Sequence, residues 1–127
     1  MRKVLFSIRP EYAEKIFEGT KVYEYRKAEP KRNFSTMVIY ETSPVMKVVG
    51  ETEIESIRVG NPEIIWNITK AGSGIDKEFY DSYFSGKDTA IAFRLCNVRR
   101  YDTPRSLRDY GILKAPQSYC YIEEKQE

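Results

Sequence analysis

Apolar and polar positions along the chain change period several times, and the changes mark its elements. Residues 3–8, KVLFSI, form a short apolar run that predicts a strand. Pro10 follows where a helix can begin without losing a hydrogen bond. Tyr12, Ala13, Ile16 and Phe17 then recur at one-face helical spacing until Gly19 closes the helix. Residues 20–27 return to a strand pattern, Pro30 and Asn33 break the chain, and residues 36–41 form a third apolar strand. Ser43-Pro44 opens a strand pair, or one bent strand, over residues 43–56, interrupted by Gly50 as at a bulge or barrel corner. Beyond Gly50, Thr52, Ile54 and Ser56 share one face; Glu51, Glu53 and Glu55 share the other, a solvent face.

Asn61 is placed to cap a helix with Pro62 at its first position and Ile64, Ile65, Trp66 and Ile68 behind it. A second short helix is capped near Asp76 and closed by Gly86. Its stripe of Phe79, Tyr80, Tyr83 and Phe84 is expected to pack on a sheet as core. Residues 89–101 predict a long strand, 104–111 a short helix or turn, and 116–124 a last strand, with the charged end EEKQE expected to fray. Six or so strands with helices inserted at two points predict an α+β protein: a small curved sheet or barrel with helices outside it, in one domain over residues 1–127.

Composition narrows the chemistry. The 127 residues, 41% hydrophobic and 31% charged, suffice for a core without staples and fit a soluble globular protein. No apolar run approaches the ~18–20 residues needed to span a bilayer, and the apolar start is too short for a signal peptide, so no membrane association and a cytoplasmic location are expected. The chain has no histidine. That removes serine–histidine and cysteine–histidine triads and most zinc sites. The carboxylates form no recognisable set for Mg²⁺ or Mn²⁺, so no metal and no cofactor are expected. Cys96 and Cys120 lack metal or redox spacing and read as reduced core thiols.

The net charge is only +2, but it is segregated. Arg26, Lys27, Lys31 and Arg32 form one basic cluster. Arg94, Arg99, Arg100, Arg105, Arg108 and Lys114 form another, with Asp102 and Asp109 against it. Such segregation can build a basic face that suits a phosphate-bearing partner. It can equally be a docking surface for a protein partner.

Lys21, Glu24 and Arg26 place three charges within six residues of a strand, and unpaired buried charge is expensive. They either lie on a solvated face, with Glu24 and Arg26 as a salt bridge, or line a polar site. In a site, Arg26 offers a planar fork to phosphate or a base edge. Glu24 would accept from an exocyclic amine, and Lys21 would supply a point charge. Period two puts Glu24 and Arg26 on one face and Lys21, Tyr23 and Tyr25 on the other, so Lys21 joins Glu24 only from a turn or across a bulge. Ser7 and Arg9 flank the entry to the first helix. Tyr40, Ser43 and Pro44 end a strand where a loop could close a cleft, and Gln117 and Ser118 could read a base edge. Some of the ten tyrosines could stack on unpaired bases.

SIRPEYAEKIFEGTKVYEYRK, YETSPVMKVVGETEI, FYDSYFSGKDTAIAF and GILKAPQSYCYI, in this order, resemble the ASCH domain family, in its stand-alone prokaryotic branch. The family's G-x-K-x-x-E-x-R element stands here as Gly19, Lys21, Glu24 and Arg26. The resemblance implies a PUA-like fold, a small β-barrel with surrounding helices, and a cleft lined by the segment from the first helix to the second strand. It implies RNA or a modified nucleoside as partner, often linked to transcription or translation. Some small bacterial members are amidohydrolases acting on N4-acetylcytidine, and others have been assigned ribonuclease activity. In the amidohydrolases Lys21 matches a catalytic lysine, while Glu24 stands where they carry a threonine. By order along the chain, Glu51 and Glu53 are nearest to their catalytic glutamate. Lys21 and Glu24 are thus the catalytic candidates if the chain is an enzyme.

Overall fold

The structure is a computed structural model that describes residues 2–123. The fraying expected of the chain end falls almost wholly outside them. The elements run β1 (Lys3–Ile8), α1 (Pro10–Glu18), β2 (Tyr23–Arg26), β3 (Thr36–Glu41), β4 (Lys47–Gly60), α2 (Pro62–Thr69), α3 (Lys77–Tyr83), β5 (Ala90–Arg105) and β6 (Tyr119–Tyr121), with 3-10 turns at Lys70–Gly72 and Leu107–Tyr110.

The strands form one curled sheet, a half-barrel, in the order β2-β5-β4-β3-β1-β6. β1 and β3 pair in parallel and the other neighbours are antiparallel. Both faces of β1 and β3 are covered, which explains their near-continuous apolar runs. Val4, Phe6, Ile8, Met37, Ile39 and Phe93 pack on one face with Ala13 and Ile16 of α1. Leu5, Val38, Tyr40, Val48 and Tyr101 pack on the other, under Leu107, Tyr110, Ile112 and Ala115. α2 and α3 enclose a third cluster of Tyr25, Ile65, Trp66, Tyr80, Phe84, Ala90 and Ala92.

Caps set the helix starts as the sequence indicated. The Asn61 side chain accepts from the Glu63 and Ile64 amides, and Asp76 accepts from Phe79. Several strand limits differ from expectation. Residues 43–56 are no pair: one bent strand, β4, starts at Lys47 and reaches Gly60, with register shifts beside Gly50 and twice beyond it. β5 continues to Arg105, and β6 keeps only three residues. β2 begins at Tyr23 rather than residue 20, because the preceding amides bond elsewhere: Lys21 to the Lys15 carbonyl and Val22 to that of Gly72. Among the described residues no helix is long and apolar enough to cross a membrane.

Candidate functional site

The end of α1 fixes the centre of the site. Gly19 takes a left-handed conformation (φ 90°) that turns the chain back on the helix. The amides of Gly19, Thr20 and Lys21 then all point to the Lys15 carbonyl, at 3.0–3.1 Å. Lys21 is held in the turn before β2, which is how it joins Glu24 despite the strand period. Gly74, also left-handed (φ 69°), lies against its stem; a Cβ there would sit 2.5 Å from Lys21 Cβ and 2.7 Å from its Cγ.

Lys21, Glu24 and Arg26 are 3%, 7% and 8% exposed, so none is a solvated surface charge. Lys21 Nζ donates to the Ser73 carbonyl (2.8 Å) and stands 3.8 Å from Glu24 Oε1. Its ammonium also lies 5.1 Å from the Tyr25 ring centre and 5.8 Å from that of Tyr12. Burial pushes the Lys21 pKa down, and the Glu24 carboxylate opposes that shift. Glu24 Oε2 accepts both Arg26 Nε (3.0 Å) and Nη2 (2.7 Å). No hydrogen bond among the described residues occupies Glu24 Oε1.

Arg26 is fully engaged within the protein. Besides Glu24, Nη2 donates to the Ser7 carbonyl (3.0 Å), and Nη1 donates to Ser118 Oγ (3.1 Å) and the Ser118 carbonyl (3.4 Å). All five guanidinium N–H groups therefore have partners. β2 is one edge of the sheet and Ser118 adjoins β6, the other edge, so this side chain bridges the two ends of the half-barrel. Its fork, expected to face phosphate or a base, is occupied by Glu24, Ser7 and Ser118.

These groups form the floor of a cavity of about 360 Å³, lined by Ser7, Ile8, Arg9, Tyr12, Lys21, Glu24, Tyr25, Arg26, Thr42, Ile75, Phe79, Tyr83 and Gln117. Of the residues singled out from sequence, Ser7, Arg9 and Gln117 thus come together with the central three. Ser118 joins through Arg26. Ser7 Oγ is engaged, donating to the Pro116 carbonyl (2.7 Å). Ser43 is exposed in the loop after β3 and is not among the lining residues; its neighbour Thr42 is. Tyr40 lies in the core on the far face. Glu51 and Glu53 are also outside the cavity. Glu51 accepts from Tyr101 (2.7 Å) and Lys3 (3.4 Å), and Glu53 accepts from Asn97 (3.1 Å).

The aromatic stripe of α3 divides. Tyr80 and Phe84 enter the core as expected, but Phe79 and Tyr83 line the cavity. The Phe79 and Tyr83 rings are nearly parallel (13°, centres 6.4 Å apart), and Tyr12 lies 5.4 Å from Phe79. Arg9 is 5.8 Å from the Phe79 centre, and Lys27 is 4.6 Å from that of Tyr83. The i, i+4 spacing of Phe79 and Tyr83 was a visible signal for this wall, but it cannot be separated from core packing until the docking angle of α3 is known. The cavity therefore sets aromatic faces with flanking cations beside a buried ammonium and an open carboxylate oxygen. Among the described residues no cluster of three or more histidine, cysteine or carboxylate groups is arranged to hold a metal.

Known proteins place this architecture. The family model of the ASCH domain matches residues 6–104. The ASCH domain-containing ribonuclease of Zymomonas mobilis is 32% identical over 129 residues, covering 98% of this chain and 87% of that protein. The large ribosomal subunit protein uL22 of Ureaplasma parvum is 32% identical over 121 residues; they cover 94% of this chain, which spans only 39% of that relative's length. The crystal structure of ASCH from Zymomonas mobilis superposes with a TM-score of 0.87 at 28% identity, covering 96% of this chain and 88% of that one. The half-barrel is thus the PUA-like fold of ASCH proteins, and the chain belongs to the ASCH domain family.

Proposed function

We propose that this protein binds single-stranded RNA, or a modified nucleoside, by taking one nucleotide into the cavity, with a regulatory output. The base lies against Phe79, Tyr83 and Tyr12. Its edge faces Lys21 Nζ as donor and Glu24 Oε1 as acceptor, a pairing that suits the adjacent acceptor and donor groups of a nucleobase. Arg9 and Lys27 at the aromatic wall attract the flanking phosphates. Arg26 acts indirectly, by holding Glu24 and the two sheet edges in place. The observation that carries this reading is the buried Lys21–Glu24 pair, its hydrogen-bonding capacity unfilled, beside aromatic faces in a cavity large enough for a small ligand.

Cleavage of RNA is the second reading, favoured by the ribonuclease relative and by the burial-lowered pKa of Lys21. In that case Glu24 Oε1 takes the proton of a ribose 2′-hydroxyl as its oxygen attacks the adjacent phosphorus. The bond from phosphorus to the 5′-oxygen breaks, and the Lys21 ammonium supplies the proton to that leaving oxygen. Titration of labelled single-stranded RNA, followed by product chromatography, tests both readings, with N4-acetylcytidine as a parallel substrate for the amidohydrolase alternative. Binding is expected, and Tyr83→Ala is expected to weaken it by ~1–3 kcal/mol, the worth of one base–aromatic stack. Wild-type affinity in Tyr83→Ala would remove the aromatic wall from the account. Shortened RNA from the wild type, absent with Lys21→Gln, would establish cleavage.

A further inference from the structure

A second cationic surface lies away from the cavity, on the opposite side of β1. Arg99 and Arg105 of β5 both lie at the ring of Tyr101. The Arg105 guanidinium lies 3.7 Å from the Tyr101 ring centre, and that of Arg99 lies 5.2 Å from it. Glu51 is the acid at their centre. Burial raises its pKa, but Tyr101, Lys3 and Arg99 outweigh that and hold the carboxyl below its usual range. Lys3, Arg99 and Arg105 against Glu51 leave an excess of two positive charges. Arg99 is 61% exposed at its side chain, and Arg105 is also exposed, donating to Tyr110 through Nη1 alone (2.9 Å), so most of its donors remain open.

Strand register connects this surface to the cavity. Ser7, which lines the cavity, pairs with Tyr40, Tyr40 with Val48, and Val48 with Arg105. Three strand spacings put Arg105 ~14 Å from Ser7 across the sheet. The adjacent row runs from Ile8, also lining the cavity, through Glu41 to Lys47. Lys47 is exposed and has no ion-pair partner among the described residues; as the first residue of β4 it lies at the strand's end, in the cavity-side row next to the one that reaches Arg105.

We infer that Lys47, Arg105 and Arg99 form a backbone-binding track for single-stranded RNA, carrying the phosphates that flank the nucleotide held in the cavity. This rests on the RNA reading of the site but assigns a surface that the cavity does not require. An arginine fork suits a phosphate oxygen pair, and Tyr101, its ring flanked by both forks, holds them in place. Sequence is not read here: contacts of this kind fix register and add affinity that falls with salt.

Two ligands separate the track from the cavity: a ribonucleoside monophosphate, which can fill only the cavity, and an RNA of ~12 nucleotides, which can reach both. The Arg99→Gln/Arg105→Gln protein should bind the monophosphate as the wild type does. It should bind the RNA ~10-fold more weakly at low salt, with the slope of log affinity against log salt reduced by ~1.4 for two lost contacts. Lys47→Gln, which breaks no hydrogen bond or ion pair among the described residues, should show about half that loss of slope. Lys70→Gln/Lys87→Gln removes two exposed charges elsewhere and controls for net charge. Equal RNA affinity and slope in the track variants and the wild type would overturn the track and leave the cavity reading intact. So would losses no greater than those of the control pair. RNA binding that depends on the arginines, with no monophosphate binding by any variant, would support the track and remove the cavity reading.

Discussion

A lysine ammonium that is 3% exposed, with one carbonyl in hydrogen-bonding range and a carboxylate 3.8 Å away, lacks the contacts that make burial of a charge favourable. Glu24 does not depend on it, because Arg26 already neutralises Glu24 through two bonds to Oε2. Lys21→Met is therefore expected to leave stability unchanged or to raise it by up to ~2 kcal/mol, read from urea unfolding. A loss above ~3 kcal/mol would make Lys21 a structural partner of Glu24 instead. At this scale the sequence was informative about identity and less so about role. Lys21, Glu24 and Arg26 stood out as charge on a strand. The occupation of Arg26 was not legible, because Ser7 and Ser118, its other partners, are distant in sequence and meet only when the sheet curls.

Arg26 matters most between elements. It ties β2 to Ser7 of β1 and to Ser118 beside β6; β2 and β6 are the two edges of the sheet and neither pair with each other nor share a strand neighbour. Arg26→Lys keeps the charge but supplies a point donor in place of five fixed ones. It should cost about 2–4 kcal/mol of unfolding free energy and raise hydrogen exchange in β2 and β6 before the rest of the sheet. Uniform exchange and unchanged stability would show that the seam is closed by packing alone. Element existence and order followed from local signals such as Pro10, Gly19, Asn61 and Asp76, which act within one turn of chain. Strand limits did not. β4 and β5 are extended by pairing with each other, and β2 is shortened by amide bonds to Lys15 and Gly72. Those are tertiary effects. The split of the α3 stripe has the same origin: Phe79 and Tyr83 face a cavity that exists only once α1 and α3 stand side by side.

For the whole molecule, the absence of histidine leaves no side chain with an ordinary pKa near neutrality. Stability between pH 5 and 8 would then be nearly flat but for Glu41, at the end of β3. Burial, followed by the neighbouring Glu14, pushes its pKa up to about 7, against the opposing charge of Arg100. Glu41 is 3% exposed, and its Oε2 has no hydrogen-bond partner among the described residues. The charged groups around the pair are Glu14 and Glu18 of α1, Arg100 of β5 and Lys47 of β4. The folded chain holds the Glu41 proton at pH values where the unfolded chain has released it. Stability from this group is thus full below pH 4.5 and is lost as pH rises to about 7. Thermal unfolding across this range should show the decline in the wild type, and Glu41→Gln should flatten it and be the more stable protein at pH 8. An identical slope in Glu41→Gln would place the effect elsewhere.

RNA titration of Lys21→Met beside the wild type, at matched pH and salt and with thermal unfolding recorded on both, tests the central claim most directly. The account predicts a variant at least as stable as the wild type whose affinity for single-stranded RNA has fallen ~10-fold or more, a difference of ~1.4 kcal/mol. A well-folded Lys21→Met protein that binds RNA as tightly as the wild type would contradict it.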